Sequence, residues 1–215
     1  MADRYPGYDV LTKRNSVSWN EQTRAVIDER LAIDPQKHQF FTDEEWATMC
    51  AVCARIVPQP ASRESPAPVA AMVDEKLHGD GGDGYRDARL PPMREAWRRG
   101  LAAIDAEAKL AYGRGFHQIG ALLQDDLLTA IQNGALHGKH WHDLPPQLFF
   151  QKRVLHDIVS AYYAHPAAWN EIGFGGPASP RGYVRMNFDR RDPWEASEAR
   201  PGREAQARAE NTRVG

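Results

Sequence analysis

Through most of this chain apolar residues recur at intervals of three and four, and no segment sustains an alternation of period two. That spacing gives each segment one apolar helical face and leaves no half-buried strand, so the fold is all-α. Ser18 and Glu21 have capping-box spacing ahead of Trp19, Thr23, Val26, Ile27, Arg30 and Leu31. Thr42 and Glu45 repeat the signature before Trp46, Met49, Cys50, Cys53, Ile56 and Val57, and Pro58 ends that run.

A proline-rich connector over residues 58–68 leads to Val69, Met72, Val73 and Leu77, then to the glycine-rich loop GDGGDG. Met93, Trp97, Leu101, Ile104, Ala108 and Ala111 define a longer helix, and Phe116, Ile119, Leu123, Leu127 and Ile131 another. A last stripe comprises Leu148, Phe149, Leu155, Ile158 and Tyr162. The expected architecture is an irregular bundle of about six helices, one domain over residues 18–186. Residues 1–17 read as an irregular arm in which Tyr5, Pro6 and Tyr8 can drape over a neighbour. Residues 187–215 read as a disordered charged tail with Trp194 as its one anchor.

The segment Tyr162–Tyr183 is the least ordinary part. Five rings (Tyr162, Tyr163, Trp169, Phe174 and Tyr183) lie on backbone that Pro166, Pro177 and Pro180 keep from forming one helix. Rings on stiff irregular backbone either plug a core or anchor a partner. The expected partner anchors are Tyr163, Trp169, Phe174, Arg181 and Tyr183.

Totals exclude several function classes. Lys plus Arg number 27 against 29 Asp plus Glu, with no basic block, which argues against nucleic acid. No apolar run approaches the ~20 residues that span a bilayer, so no transmembrane segment is expected. The first residues lack the apolar stretch of a secretory signal, and Arg98-Arg99 lies deep in a helical pattern. The expectation is a chain that stays in the cytoplasm unless it is exported with a partner. Two cysteines are too few for a disulfide framework.

Candidate chemistry is sparse. Cys50 and Cys53 form a C-x-x-C, but two turns inside a helix and on its apolar face, which suits small buried hydrophobes better than a redox pair or half a zinc site. His137, His140 and His142, with Asp143 beside them, are the sharpest metal candidate, and a small helical metal-binding enzyme is the alternative function they offer. They lie in a glycine-containing loop, where a hydrogen-bonding role is the simpler reading. GFGGP follows a helix and precedes a proline, unlike a dinucleotide loop. GDGGDG offers Asp80 and Asp83 without the ligand spacing of an EF-hand, and reads as a flexible connector. Glu107, Asp125, Asp126 and Glu171 read as solvated acids, and no residue is nominated as catalytic or cofactor-binding.

Four blocks in order carry a resemblance: FFTDEEWATMCAVCARIVPQ, PVAAMVDEKL, GLAAIDAEAKLAYGRGFHQIGALLQDDLLTAI and FFQKRVLHDIVSAYYAHPAAWNEIGFGGPASPRGY. Together they resemble the gluconate 2-dehydrogenase subunit 3 family, the small non-catalytic subunits of bacterial flavin-dependent sugar and sugar-acid dehydrogenases. The resemblance implies a large partner of the glucose–methanol–choline oxidoreductase type that holds FAD and does the chemistry, often with a c-type cytochrome as electron acceptor. It also implies a role in maturation and export of the flavoprotein. Family members frequently supply a twin-arginine signal, which this sequence does not show at its start.

Overall fold

The computed structural model describes residues 4–85, 87–136, 139–177, 192 and 195–213. His137, Arg181, Tyr183 and Trp194 lie outside the described residues. Among the described residues every regular element is helical. Nine α-helices follow one another: α1 Glu21–Leu31, α2 Asp43–Ile56, α3 Val69–His78, α4 Met93–Tyr112, α5 Ala121–Asn133, α6 Pro146–Phe149, α7 His156–Ala164, α8 Pro166–Ile172 and α9 Glu204–Arg213. Short 3-10 turns occupy Val10–Lys13 and Phe116–Gln118, and a π-helical stretch, Phe150–Leu155, joins α6 to α7.

The chain divides into two compact units, residues 1–33, 62–67 and 163–215 in the first and residues 34–61 and 68–162 in the second. The periodicity predicts a single domain over 18–186. It misses the division because the first unit is assembled from both ends of the chain, where apolar spacing is weak.

The second unit is built around α4. Trp97, Leu101, Ile104 and Ala108 on α4 are buried with Met49, Val52 and Cys53 of α2 and Leu127 and Ile131 of α5. A row of rings runs through it, Phe41 edge-on to Trp97, Trp97 edge-on to Phe149 at 5.6 Å, and Phe149 against Trp141. Glycine at position 100 permits that row. A Cβ there would stand 2.1 Å from Cζ of Phe149, well inside contact distance. The capping box of α2 forms as its spacing predicts, Thr42 accepting from the Glu45 N–H and Glu45 from the Thr42 N–H. Before α1 the cap is Asn20, which accepts from the Thr23 N–H, and not Ser18.

In the first unit Tyr5, Tyr8, Val10, Trp19, Ile27, Trp169, Ala199 and Ala207 form one buried cluster. The arm predicted to be irregular is thus core: the Tyr8 hydroxyl lies 3.1 Å from the Phe174 carbonyl and 3.2 Å from that of Ser197, and Val10 N–H donates to Asn170. The described part of the tail departs from the expectation of disorder. Ala196, Ala199, Ala207 and Asn211 are buried, and Asn211 accepts from the Ser197 N–H while donating to its carbonyl. Small alanines and one amide do the packing there, so no apolar stripe marks the segment.

GFGGP is where these pieces close on each other. Gly173 and Gly176 have φ of 72° and 71°, a region that side-chain-bearing residues avoid. A Cβ on Gly173 would meet the Tyr5 ring at 2.8 Å, one on Gly175 the Cβ of Ala196 at 2.7 Å, and one on Gly176 the Val10 side chain at 2.9 Å. The glycines serve close packing inside the first unit.

Lys13 is fully buried beside this loop, its ammonium 2.6 Å from the Pro177 carbonyl and over the Trp19 ring. Burial pulls its pKa down to about 7. Between pH 7 and the ordinary lysine value the unfolded chain holds a proton that the folded chain lacks, so stability must rise with pH across that window. The gradient is at most about 1.4 kcal/mol per pH unit, since the carbonyl and the ring favour the ammonium and offset part of the desolvation. Lys13→Met should flatten the gradient and be the more stable protein at pH 7, because Pro177 keeps the Trp19 N–H as donor. Urea unfolding of both proteins at pH 7, 8 and 9 checks this.

Candidate functional site

Within the second unit, the end of α3, the loop after it, the start of α4 and the π-helical stretch enclose a cavity of about 650 Å³. Each wall has a local cause. α3 stops at Gly79, and Asp80 takes a left-handed φ of 53° that turns the chain back, so that Gly81 N–H donates to the Lys76 carbonyl at 2.8 Å. GDGGDG therefore returns to its own helix, and Asp83 meets Lys76 at 2.6 Å and Arg153 at 2.9 Å. A flexible connector was predicted; these two ion pairs hold the loop in place. Leu90, Pro91 and Pro92 then deliver the chain to Met93 at the head of α4, with Pro92 at its N-cap.

Behind the polar side of the lining lies Asp157, whose side chain is 1% exposed. It accepts from the Trp97 indole N–H at 2.8 Å and lies 3.4 Å from the Lys76 ammonium and 3.5 Å from the Arg153 guanidinium. His156 places Nδ1 3.2 Å from the same carboxylate and 3.9 Å from that of Asp83. Burial opposes ionisation of Asp83, yet the hydrogen bonds from Lys76 and Arg153 bring its carboxyl below the usual range. Across the cavity Arg89 holds Asp87 down at about 2.

Asp83, His156 and Asp157 lie close enough together for a metal ion, but each acid already faces Lys76 and Arg153. A divalent cation would have to displace two fixed cations. The arrangement suits a charge-balanced polar floor.

The aromatic segment divides between roles. Trp169 is buried in the first unit, its N–H donating to the Tyr163 carbonyl at 2.6 Å and its ring edge-on to Phe174. It is a core residue, which corrects its reading as a partner anchor. Phe174 is half-buried, and Tyr163 is 46% exposed. His165 caps α8, accepting from the Ala167 N–H; burial, then Arg30 and Arg63, lowers its pKa to about 4 and keeps it neutral.

His140 and His142 are exposed. Between them Trp141 is buried against Phe149, and Asp143 pairs with Arg99, which lowers its pKa. The loop is pinned by its tryptophan. Cys50 and Cys53 are both free thiols; burial raises Cys50 to about 11 and Cys53 further, so neither is a reactive thiolate at neutral pH. Glu107 is buried instead of solvated, and Asp125 pairs with Arg55 at 2.7 Å.

The sequence matches the family described as Gluconate 2-dehydrogenase subunit 3 over residues 43–176, well over half the chain. The chain belongs to the gluconate 2-dehydrogenase subunit 3 family. It is accordingly a small subunit of a dehydrogenase complex, a protein that works with partner chains. Neither a curated protein nor a solved structure matches it. The span shared with subunit 3 runs from the first residue of α2 to Gly176 and contains the whole cavity. No helix of the described residues is long and apolar enough to cross a membrane.

Residue spacing does not announce the cavity. Its one sequence-level sign is Arg153 four residues before Asp157, with His156 adjacent, which places a cation, an imidazole and an acid on one helical turn.

Proposed function

We propose that this subunit 3 chain is a non-catalytic partner of a large FAD-containing dehydrogenase subunit of the glucose–methanol–choline type, acting on a sugar, glycoside or sugar acid. The small subunit stabilises the flavoprotein and assists its maturation; FAD and the oxidation belong to the partner, which passes electrons to a c-type cytochrome where the complex contains one. The observation that carries this reading is the family match over residues 43–176. Exposed apolar side chains in the first unit add support: Tyr163 and Ile172 at 46% and 44%, with Val26 and Leu31 of α1. An obligate interface of more than about 2,000 Å² would cover such groups. The anchor set narrows to Tyr163 and half-buried Phe174, with Arg181 and Tyr183 outside the described residues.

Co-expression tests the proposal. A flavoprotein encoded beside this chain should be soluble and FAD-loaded in its presence, and aggregated or poor in FAD without it, read by the flavin absorbance of the soluble fraction. Equal soluble, FAD-loaded yield with and without the chain would sink the stabilising role.

A further inference from the structure

We propose that the cavity of the second unit is a binding site for a small uncharged molecule with an apolar body and a hydroxyl group, the hydroxyl donating to Nε2 of His156. Three features of the cavity define that ligand class.

Size and wall chemistry come first. About 650 Å³ lies within the usual range of small-molecule sites. Leu77 and Leu90, both buried, with Pro91 and Met93 supply the apolar wall, and Tyr85 stands at the cavity 82% exposed. A ligand that covered that ring would remove a large apolar surface from water.

Charge comes second. The lining carries three acids, Asp80, Asp83 and Asp87, against three cations, Arg94, Lys152 and Arg153, with Asp83 2.9 Å from Arg153 and Asp80 4.0 Å from Arg94. Lys152, also lining the cavity, acts on Asp87. A floor balanced in this way has no surplus of cations for a phosphate and no surplus of acids for an ammonium group. It selects against multiply charged ligands.

The third feature is direction. A carboxylate only accepts, so the 3.2 Å contact with Asp157 puts the imidazole proton on Nδ1. In the neutral ring Nε2 is then an acceptor. Because Asp157 is itself fixed by Trp97, Lys76 and Arg153, the ring is oriented before any ligand arrives. His156 lines the cavity with its side chain half exposed, and follows directly on the π-helical stretch that carries Lys152 and Arg153. Such stretches recur at functional sites.

The test uses the full chain with 4-propylphenol as probe and 4-propylanisole, its methyl ether, as the comparison without a donor. Saturation-transfer NMR titration should show 4-propylphenol binding saturably, and the ether roughly threefold to tenfold more weakly, the worth of one neutral hydrogen bond. His156→Phe should bring the two probes to equal affinity, and Leu90→Trp should abolish binding of both while circular dichroism stays that of the parent. Failure of 4-propylphenol to saturate, or saturation that neither substitution alters, would overturn the proposal. The phenol–ether comparison needs no variant, so it stands even if Leu90→Trp misfolds.

Discussion

Asp74→Ala is expected to cost the protein about 3–5 kcal/mol, a large share of the roughly 5–15 kcal/mol that keeps a domain folded. Asp74 is buried on α3, and its carboxylate accepts from three consecutive backbone N–H groups: Gln39 at 2.6 Å, Phe40 at 3.0 Å and Phe41 at 2.9 Å. Alanine leaves those donors without their acceptor, two of them in buried bonds, and an unsatisfied buried donor costs about 1–3 kcal/mol. The damage would spread, since Phe41 packs edge-on to Trp97 and Trp97 donates to Asp157 under the cavity floor. Urea unfolding should show the midpoint falling with little change in slope. Asp74→Asn, which keeps one acceptor oxygen, should recover part of the loss. A cost below about 1 kcal/mol for alanine would mean that water or a local shift satisfies the three donors.

What the sequence made legible follows from how each element is stabilised. α2, α4 and α5 bury long apolar side chains on one face, and their existence can be read from spacing alone. Pro166 ends one helix and begins the next, because a missing N–H is tolerated in a first turn. Leu148 and Leu155 are only partly buried, whereas Phe150 and Val154 are buried, and from Phe150 on the π-helical turn widens the helix and re-phases its stripe. The first unit was largely illegible. Its contacts are between Tyr8 and the Phe174 carbonyl, Val10 and Asn170, Ala199 and Gly173, pairs far apart in sequence and held by glycines and alanines. The cavity was hidden for the same reason, since Asp83, Arg153 and Asp157 meet only after the chain has turned back on itself.

Trp169→Ala should then act on folding before it acts on assembly. The indole is 5% exposed, packs edge-on to Phe174 at 5.9 Å and shares its cluster with Tyr5, Tyr8, Val10 and Ile27. Removing a buried tryptophan leaves a cavity and deletes the hydrogen bond to the Tyr163 carbonyl, for a loss of about 3–5 kcal/mol. Thermal unfolding of the isolated chain should move down by roughly 2–4 °C per kcal/mol lost. Tyr163→Ala provides the contrast. It truncates a ring 46% exposed, and its stability should stay within about 1 kcal/mol of the parent. If Tyr163 contributes to the flavoprotein interface, this second variant should lower the yield of co-purified flavoprotein without lowering the melting temperature. Trp169→Ala would lower both. The opposite pattern, a Trp169→Ala chain that melts like the parent but loses its partner, would return the indole to the interface and contradict its place in the core.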